Sequence, residues 1–131
     1  RRQDPPRLGR EAGILLQIVD DIHDFTLDGE TAGKDGGQDF VNGRLTLPCI
    51  LALDDLKTRD AFLKIWNTRA RGATAFDEAV KLLKNAGHLD EARAMAKERM
   101  LALLPLVDAL PNKPAAQGMR VFMELLWGRE F

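Results

Sequence analysis

Apolar positions recur at helical spacing along almost the whole chain, and the pattern predicts an all-helical protein. The first element spans residues 8 to about 28, after a polar lead-in at Pro5-Pro6. Ile14, Leu15, Leu16, Ile18, Val19, Ile22 and Phe25 cover most of its circumference. A helix that is apolar nearly all round is expected to be buried. Residues 29–45 break the pattern with Gly29, Gly33, Gly36, Gly37 and Gly43, and read as a loop. Thr46 is placed to cap the next helix, where Pro48 is tolerated in the first turn. That helix is expected to run to about Leu56. Thr58 is placed to cap another, carrying Phe62, Ile65 and Trp66. Thr74 and Asp77 resemble a capping box for a fourth helix, closed at Asn85-Ala86-Gly87 by a left-handed glycine. A longer helix follows from His88 to Leu110, with a kink expected at Pro105. Pro111 and Pro114 then break the chain before a last helix through Trp127. No period-two strand pattern, internal repeat or low-complexity tract is present.

One stripe of the first helix is not apolar. Gln17, Asp20, Asp21 and Asp24 fall at i, i+3, i+4 and i+7, so they stack on one face, with Gly13 one turn earlier. Three carboxylates on an otherwise apolar helix are expected to line the inside of the protein. Like charges at that spacing repel, and a buried carboxylate is costly unless paired or metal-bound. A hard divalent cation resolves the conflict, and oxygen ligands with retained waters suit Mg²⁺. A solvated acidic face is the plain alternative, and three apolar sides argue against it. A calcium loop is a second alternative. Asp24, Thr26, Asp28, Gly29 and Asp35 fit EF-hand positions 1, 3, 5, 6 and 12, but Thr31 stands where an apolar anchor belongs and Asp35 where Glu is usual. Gly29-x-x-x-Gly33-Lys34 fails as a phosphate loop: it is one residue short, lacks the Ser/Thr and follows a helix.

The stripe does not stand alone. Gly33-Lys34, then Gly37-x-Asp39, then Gly43-Arg44-x-Thr46-Leu47-Pro48 follow it in order. Together with Gln17-x-x-Asp20-Asp21-x-x-Asp24, these residues resemble the second aspartate-rich region of trans-isoprenyl diphosphate synthases, the polyprenyl synthetase family. The core of the resemblance is residues 13–53, and a weaker helical likeness continues to the end. Arg44 stands where that family usually has Lys. The resemblance implies an all-α helical bundle, the C-terminal part of an isoprenoid-synthase-type fold. It implies Mg²⁺ held by Asp20, Asp21 and Asp24, with Asp20 the chief ligand and Asp39 in support. It implies diphosphate contacts from Gln17, Lys34 and Arg44, and it counts Asp20, Asp21, Asp24 and Lys34 as the catalytic set. The implied reaction condenses isopentenyl diphosphate with an allylic diphosphate in isoprenoid biosynthesis.

The family also carries an earlier aspartate-rich motif, and nothing here matches it. Asp54-Asp55 is followed by Leu-Lys-Thr-Arg-Asp, which has the wrong spacing. The chain is therefore expected to be one helical domain over 1–131, the C-terminal half of such an enzyme or a short subunit, inactive alone. A non-catalytic or regulatory subunit of a heteromeric synthase is the second reading. The first helix looks too apolar for the other short helices to cover. Association with further copies or with an N-terminal half is thus expected.

Composition narrows this little further. At 131 residues the chain is one domain at most, and 45% apolar residues suffice for a core. A net charge of −1 gives no reason to expect nucleic acid or an anionic membrane surface. No apolar run is long enough to span a bilayer and no signal peptide is visible, so a cytoplasmic location is expected. Cys49, the single cysteine, reads as a small buried apolar residue. His23 lies off the carboxylate stripe, and His88, at a helix start, carries no signal. Trp66, Phe122 and Trp127 read as core or interface anchors.

Overall fold

The computed structural model describes residues 4–26 and 37–128. Seven α-helices are ordered along the described chain. They are α1 (Asp4–Thr26), α2 (Gln38–Val41), α3 (Leu47–Asp54), α4 (Arg59–Trp66), α5 (Ala73–Asn85), α6 (His88–Asp108) and α7 (Lys113–Gly128). A 3-10 turn, Arg69–Arg71, joins α4 to α5. The described residues contain no strand. The all-α expectation holds.

Several boundaries differ from the sequence reading for local reasons. The first helix begins at Asp4. Pro5 and Pro6 therefore sit in its opening turn, where their missing N–H groups and fixed φ cost little. Residues 38–41 form a helical turn inside the expected loop. The helix after Pro48 ends at Asp54, because Asp55 turns extended at φ −97°, ψ 115°. Gly72, at φ 72°, starts α5 one residue before Ala73 and leaves Thr74 inside the first turn rather than at the cap. Thr46 and Thr58 do occupy N-cap positions, but neither side chain makes the capping hydrogen bond. The Thr58 hydroxyl instead donates to the Ala52 carbonyl at 2.8 Å. Gly87 is left-handed at φ 83°, as expected, and α6 continues through Pro105 to Asp108.

Two apolar clusters hold the helices. In the first, Leu8, Leu15, Val19 and Ile22 of α1 pack on Ala92, Ala96, Leu103 and Val107 of α6 and on Ala116 and Met123 of α7. The small side chains at 92 and 96 let α1 lie close along α6. The second cluster gathers Phe25, Phe40, Cys49, Phe62, Phe76 and Leu83 from α1 to α5. Its aromatic part is a set of tilted, edge-on and stacked rings. Phe40 lies edge-on to Trp66 at 5.3 Å and to Phe62 at 6.4 Å, and Phe76 bridges Phe40 at 6.0 Å to Phe25 at 5.4 Å. Such pairs add to the area they bury. Trp66 is thus a core anchor. Phe122 is exposed, and the Trp127 side chain lies outside the described set.

The described helices cover α1 incompletely, in line with the expectation that so apolar a helix would outrun its neighbours, but the placing of its acidic stripe departs from expectation. Only one arc is covered. Ile14 and Leu16 are each 37% exposed, and Gly13, Gln17 and Asp20 face solvent. The acidic stripe therefore borders an open face rather than the interior of the described bundle. No described helix is long and apolar enough to cross a membrane.

Candidate active site

The last three turns of α1 carry Gln17, Asp21 and Asp24, and bring Asp24 to the Gly37 backbone at the start of α2 and Asp21 to Arg44 in the connector after it. Asp21 is buried at 6% exposure, and Gln17 donates to its Oδ1 at 2.9 Å. Asp24 accepts from the Gly37 backbone N–H through Oδ1 at 2.8 Å. Its other oxygen, Oδ2, is buried without a hydrogen-bond partner among the described residues. Arg44 reaches both sides of this cleft. One guanidinium nitrogen lies 3.3 Å from Asp39 Oδ2 and the other 3.7 Å from Asp21 Oδ1.

The packing beneath explains why α2 lies where it does. Phe40 is buried in the aromatic cluster, so Asp39, next to it on a four-residue helix, is carried to the edge of the site. Gly37 is left-handed at φ 83°, and its Cα rests against the Phe76 ring. That contact aims the Gly37 N–H at Asp24. Behind Gly43, Arg69 stacks over Trp66 at 4.6 Å and donates to the Trp66 carbonyl at 3.0 Å.

Burial pushes the Asp21 carboxyl above its ordinary range, although Gln17, Arg44 and the Leu47 backbone oppose this. Burial likewise raises Asp24 from 3.8 to about 6; the Gly37 N–H works against it, and the charges of Asp39 and Asp21 add to it. A folded-state pKa above the unfolded one means the folded chain keeps a proton that the unfolded chain has lost. Stability should therefore fall as pH rises from 3.8 to about 6, with the full penalty above that window. At this half-buried site, solvent screening reduces the expected cost to on the order of 1–2 kcal/mol. Urea denaturation in EDTA should show that fall. Asp24→Asn should flatten it, and an unchanged pH profile in the variant would refute the assignment.

Of the residues singled out in the sequence, Gln17, Asp21, Asp24, Asp39 and Arg44 come together. Asp20 stands exposed on the open side of α1. Lys34 lies outside the described residues, as do Asp28, Gly29, Thr31 and Asp35 of the calcium-loop alternative. The described residues contain no group of three acidic, His or Cys side chains gathered closely enough to hold an ion. The chemistry of the donors nonetheless fits a hard divalent cation. They are carboxylate oxygens, one of them buried and unpartnered, beside further negative charge. Cys49 is inert, fully buried with its thiol pushed up to about 11 by that burial.

Sequence reasoning missed His88. It is buried at 4% exposure between two turns. Its Nε2 lies 3.1 Å from Asp55 and 3.2 Å from Thr58, and its Nδ1 lies 3.0 Å from Glu91. These contacts tie the α3–α4 turn to the start of α6. The partners in the α3–α4 turn lie about thirty residues away, so no local pattern announces them.

The model of the polyprenyl synthetase family matches residues 2–83, more than half of the chain. The chain belongs to that family. It is 29% identical over 118 residues to an all-trans-nonaprenyl-diphosphate synthase (geranyl-diphosphate specific) of Rhodobacter capsulatus, across 90% of this chain and 36% of that protein. It is 30% identical over 112 residues to heptaprenyl diphosphate synthase component 2 of Geobacillus stearothermophilus, across 86% of this chain and 34% of that protein. Its fold superposes on the crystal structure of a geranylgeranyl pyrophosphate synthase from Bacteroides thetaiotaomicron. The TM-score is 0.71 at 30% identity, covering 93% of this chain and 40% of the other. The all-α architecture is thus part of an isoprenoid-synthase fold. The chain spans about a third of the length of the curated relatives it matches.

Proposed function

We propose that this chain supplies the second acidic motif of a Mg²⁺-dependent trans-prenyltransferase. The reaction would condense isopentenyl diphosphate with an allylic diphosphate. The observation that carries the reading is the buried, unpartnered Asp24 oxygen on the motif helix of a polyprenyl synthetase family chain. Asp20, Asp21 and Asp24 would hold the ion, with Asp39 in support. Bound Mg²⁺ would neutralise charge developing on the departing diphosphate. Gln17, Lys34 and Arg44 would orient that diphosphate. The Gly37 N–H holds Asp24 in place, and Gln17 does the same for Asp21, so two ligands are preorganised before substrate arrives. The full reaction would also need a first aspartate-rich motif, supplied outside these 131 residues.

Among the described residues no three acids gather closely enough to hold an ion alone. Mg²⁺ should therefore bind weakly by itself and at least about tenfold tighter, about 1.4 kcal/mol, when inorganic pyrophosphate supplies the missing oxygens. Asp20→Ala should abolish that synergy. Titration calorimetry giving equal Mg²⁺ affinity with and without pyrophosphate would sink the reading.

A second reading has one specific support. The Geobacillus relative is named as a component of a synthase, which suits a subunit that works only with a partner chain. In that case this chain would be paired with a chain bearing the first motif. Asp24→Ala would then leave the partner's turnover intact if the role is regulatory, and abolish it if the site is shared.

A further inference from the structure

The arginine at position 44 does something a lysine could not do in the same way. Its guanidinium places one nitrogen 3.3 Å from Asp39 Oδ2 and another 3.7 Å from Asp21 Oδ1. The two carboxylates come from different elements, α1 and α2. A planar fork with separate donors can lie between two acids, whereas an ammonium is a single point charge. The root of the side chain is fixed. The Arg44 backbone N–H donates to the Asp39 carbonyl at 2.7 Å, and the Gly43 N–H donates to the Phe40 carbonyl at 3.1 Å. The tip is not fixed, because the Arg44 side chain is 49% exposed. It can swing into solvent without moving the backbone.

We infer that Arg44 is an internal counter-cation of the acidic site, one that a divalent cation must displace and that a diphosphate draws off. The inference rests on the metal reading above and deepens it. With no cation present, Arg44 offsets the mutual repulsion of Asp21 and Asp39. An arriving cation competes with it for both carboxylates, so binding of the cation alone is weakened. Phosphate oxygens accept the guanidinium fork in paired hydrogen bonds and carry more charge than either acid. When a diphosphate is present, Arg44 transfers to it and frees the acids. The arginine at this position thus makes cation entry depend on the diphosphate, which guards against an ion bound without substrate.

Mn²⁺ can stand in for Mg²⁺ in the test, because the paramagnetic signal of the free ion reports binding without any turnover. The full chain, Arg44→Gln and Arg44→Lys should each be titrated with Mn²⁺, alone and with inorganic pyrophosphate. Circular dichroism should first show equal helicity. Exposed ion pairs are weak, so removing them should tighten Mn²⁺ alone by about fivefold in Arg44→Gln. The gain from pyrophosphate should shrink in that variant by a similar factor. Arg44→Lys keeps the charge and loses the fork. It should tighten Mn²⁺ alone by about twofold and retain most of the pyrophosphate gain. Unchanged or weaker Mn²⁺ binding in Arg44→Gln, with normal Mn²⁺–pyrophosphate binding by the original chain, would overturn this inference and leave the metal reading standing. Tightening in Arg44→Gln with none in Arg44→Lys would also overturn it, by reducing the effect to net charge. Absence of Mn²⁺ binding by the original chain even with pyrophosphate would overturn the metal reading itself, and this inference with it.

Discussion

Incubated alone with labelled isopentenyl diphosphate and an allylic diphosphate, the 131-residue chain is expected to form no prenyl product. Loss of an allylic diphosphate places negative charge on a leaving group that must be neutralised as the bond breaks. The proposed mechanism clamps that group between two acidic motifs, and this sequence carries one of them. Mixing the chain with a separately prepared segment that carries a first aspartate-rich motif should restore turnover. The surface suits such an association. Ile14 and Leu16 of α1 are each 37% exposed beside the acidic stripe, and Val121, Phe122 and Leu125 of α7 are exposed by 47%, 47% and 66%. Exposed apolar area of this kind favours burial against a second chain. Asp24→Ala in the mixture should lower the restored rate by about a hundredfold or more, the scale of losing a preorganised electrostatic group. Clear turnover by the purified chain on its own would prove the two-part reading wrong.

How much of this was legible in the sequence depends on distance along the chain. The acidic stripe was legible because Gln17, Asp20, Asp21 and Asp24 share one helix, and helical periodicity fixes which side chains stack. Gly87 was legible because a left-handed helix end asks for glycine locally. The incomplete cover of α1 was legible from its all-round apolar pattern, but which arc stays open was not. Periodicity shows which faces are apolar, but the neighbours that cover a face come from elsewhere, and Ile14 and Leu16 are left 37% exposed. The cap residues show the same limit. Thr46 and Thr58 sit at the expected helix starts, yet Thr58 spends its hydroxyl on Ala52 and His88, contacts set by tertiary packing. The site follows the same division. Gln17 on Asp21 is an i,i+4 pair and could be read directly, whereas Gly37 on Asp24 spans a thirteen-residue separation and depends on where the aromatic cluster holds α2.

That last contact makes Gly37→Ala the most disruptive small substitution available at the site. The backbone at Gly37 has φ +83°, and an added Cβ would sit 2.7 Å from Phe76 Cγ, with two further ring atoms at 2.8 and 2.9 Å. The left-handed conformation costs an L-residue roughly 1–2 kcal/mol, and overpacking against a fixed ring typically about 1–3 kcal/mol more. The ring has little room to yield, because Phe76 is 7% exposed and wedged between Phe25 and Phe40. Gly43 is the useful contrast. It is also left-handed, at φ +86°, but its Cβ would meet only the Arg69 guanidinium, the nearest atom at 3.3 Å, and a long side chain can shift. Gly37→Ala should therefore cost about 2–5 kcal/mol in urea denaturation, and Gly43→Ala less. The strain should be relieved by moving α2, which takes the Gly37 N–H from Asp24 and Asp39 from the edge of the site. The cation–pyrophosphate synergy should then vanish in Gly37→Ala and persist in Gly43→Ala. Pairing Gly37→Ala with Phe76→Leu should cost less than the sum of the two single changes, because the smaller side chain removes the clash. Strictly additive costs, or wild-type synergy in Gly37→Ala, would show that the packing of Gly37 on Phe76 does not set the position of Asp24.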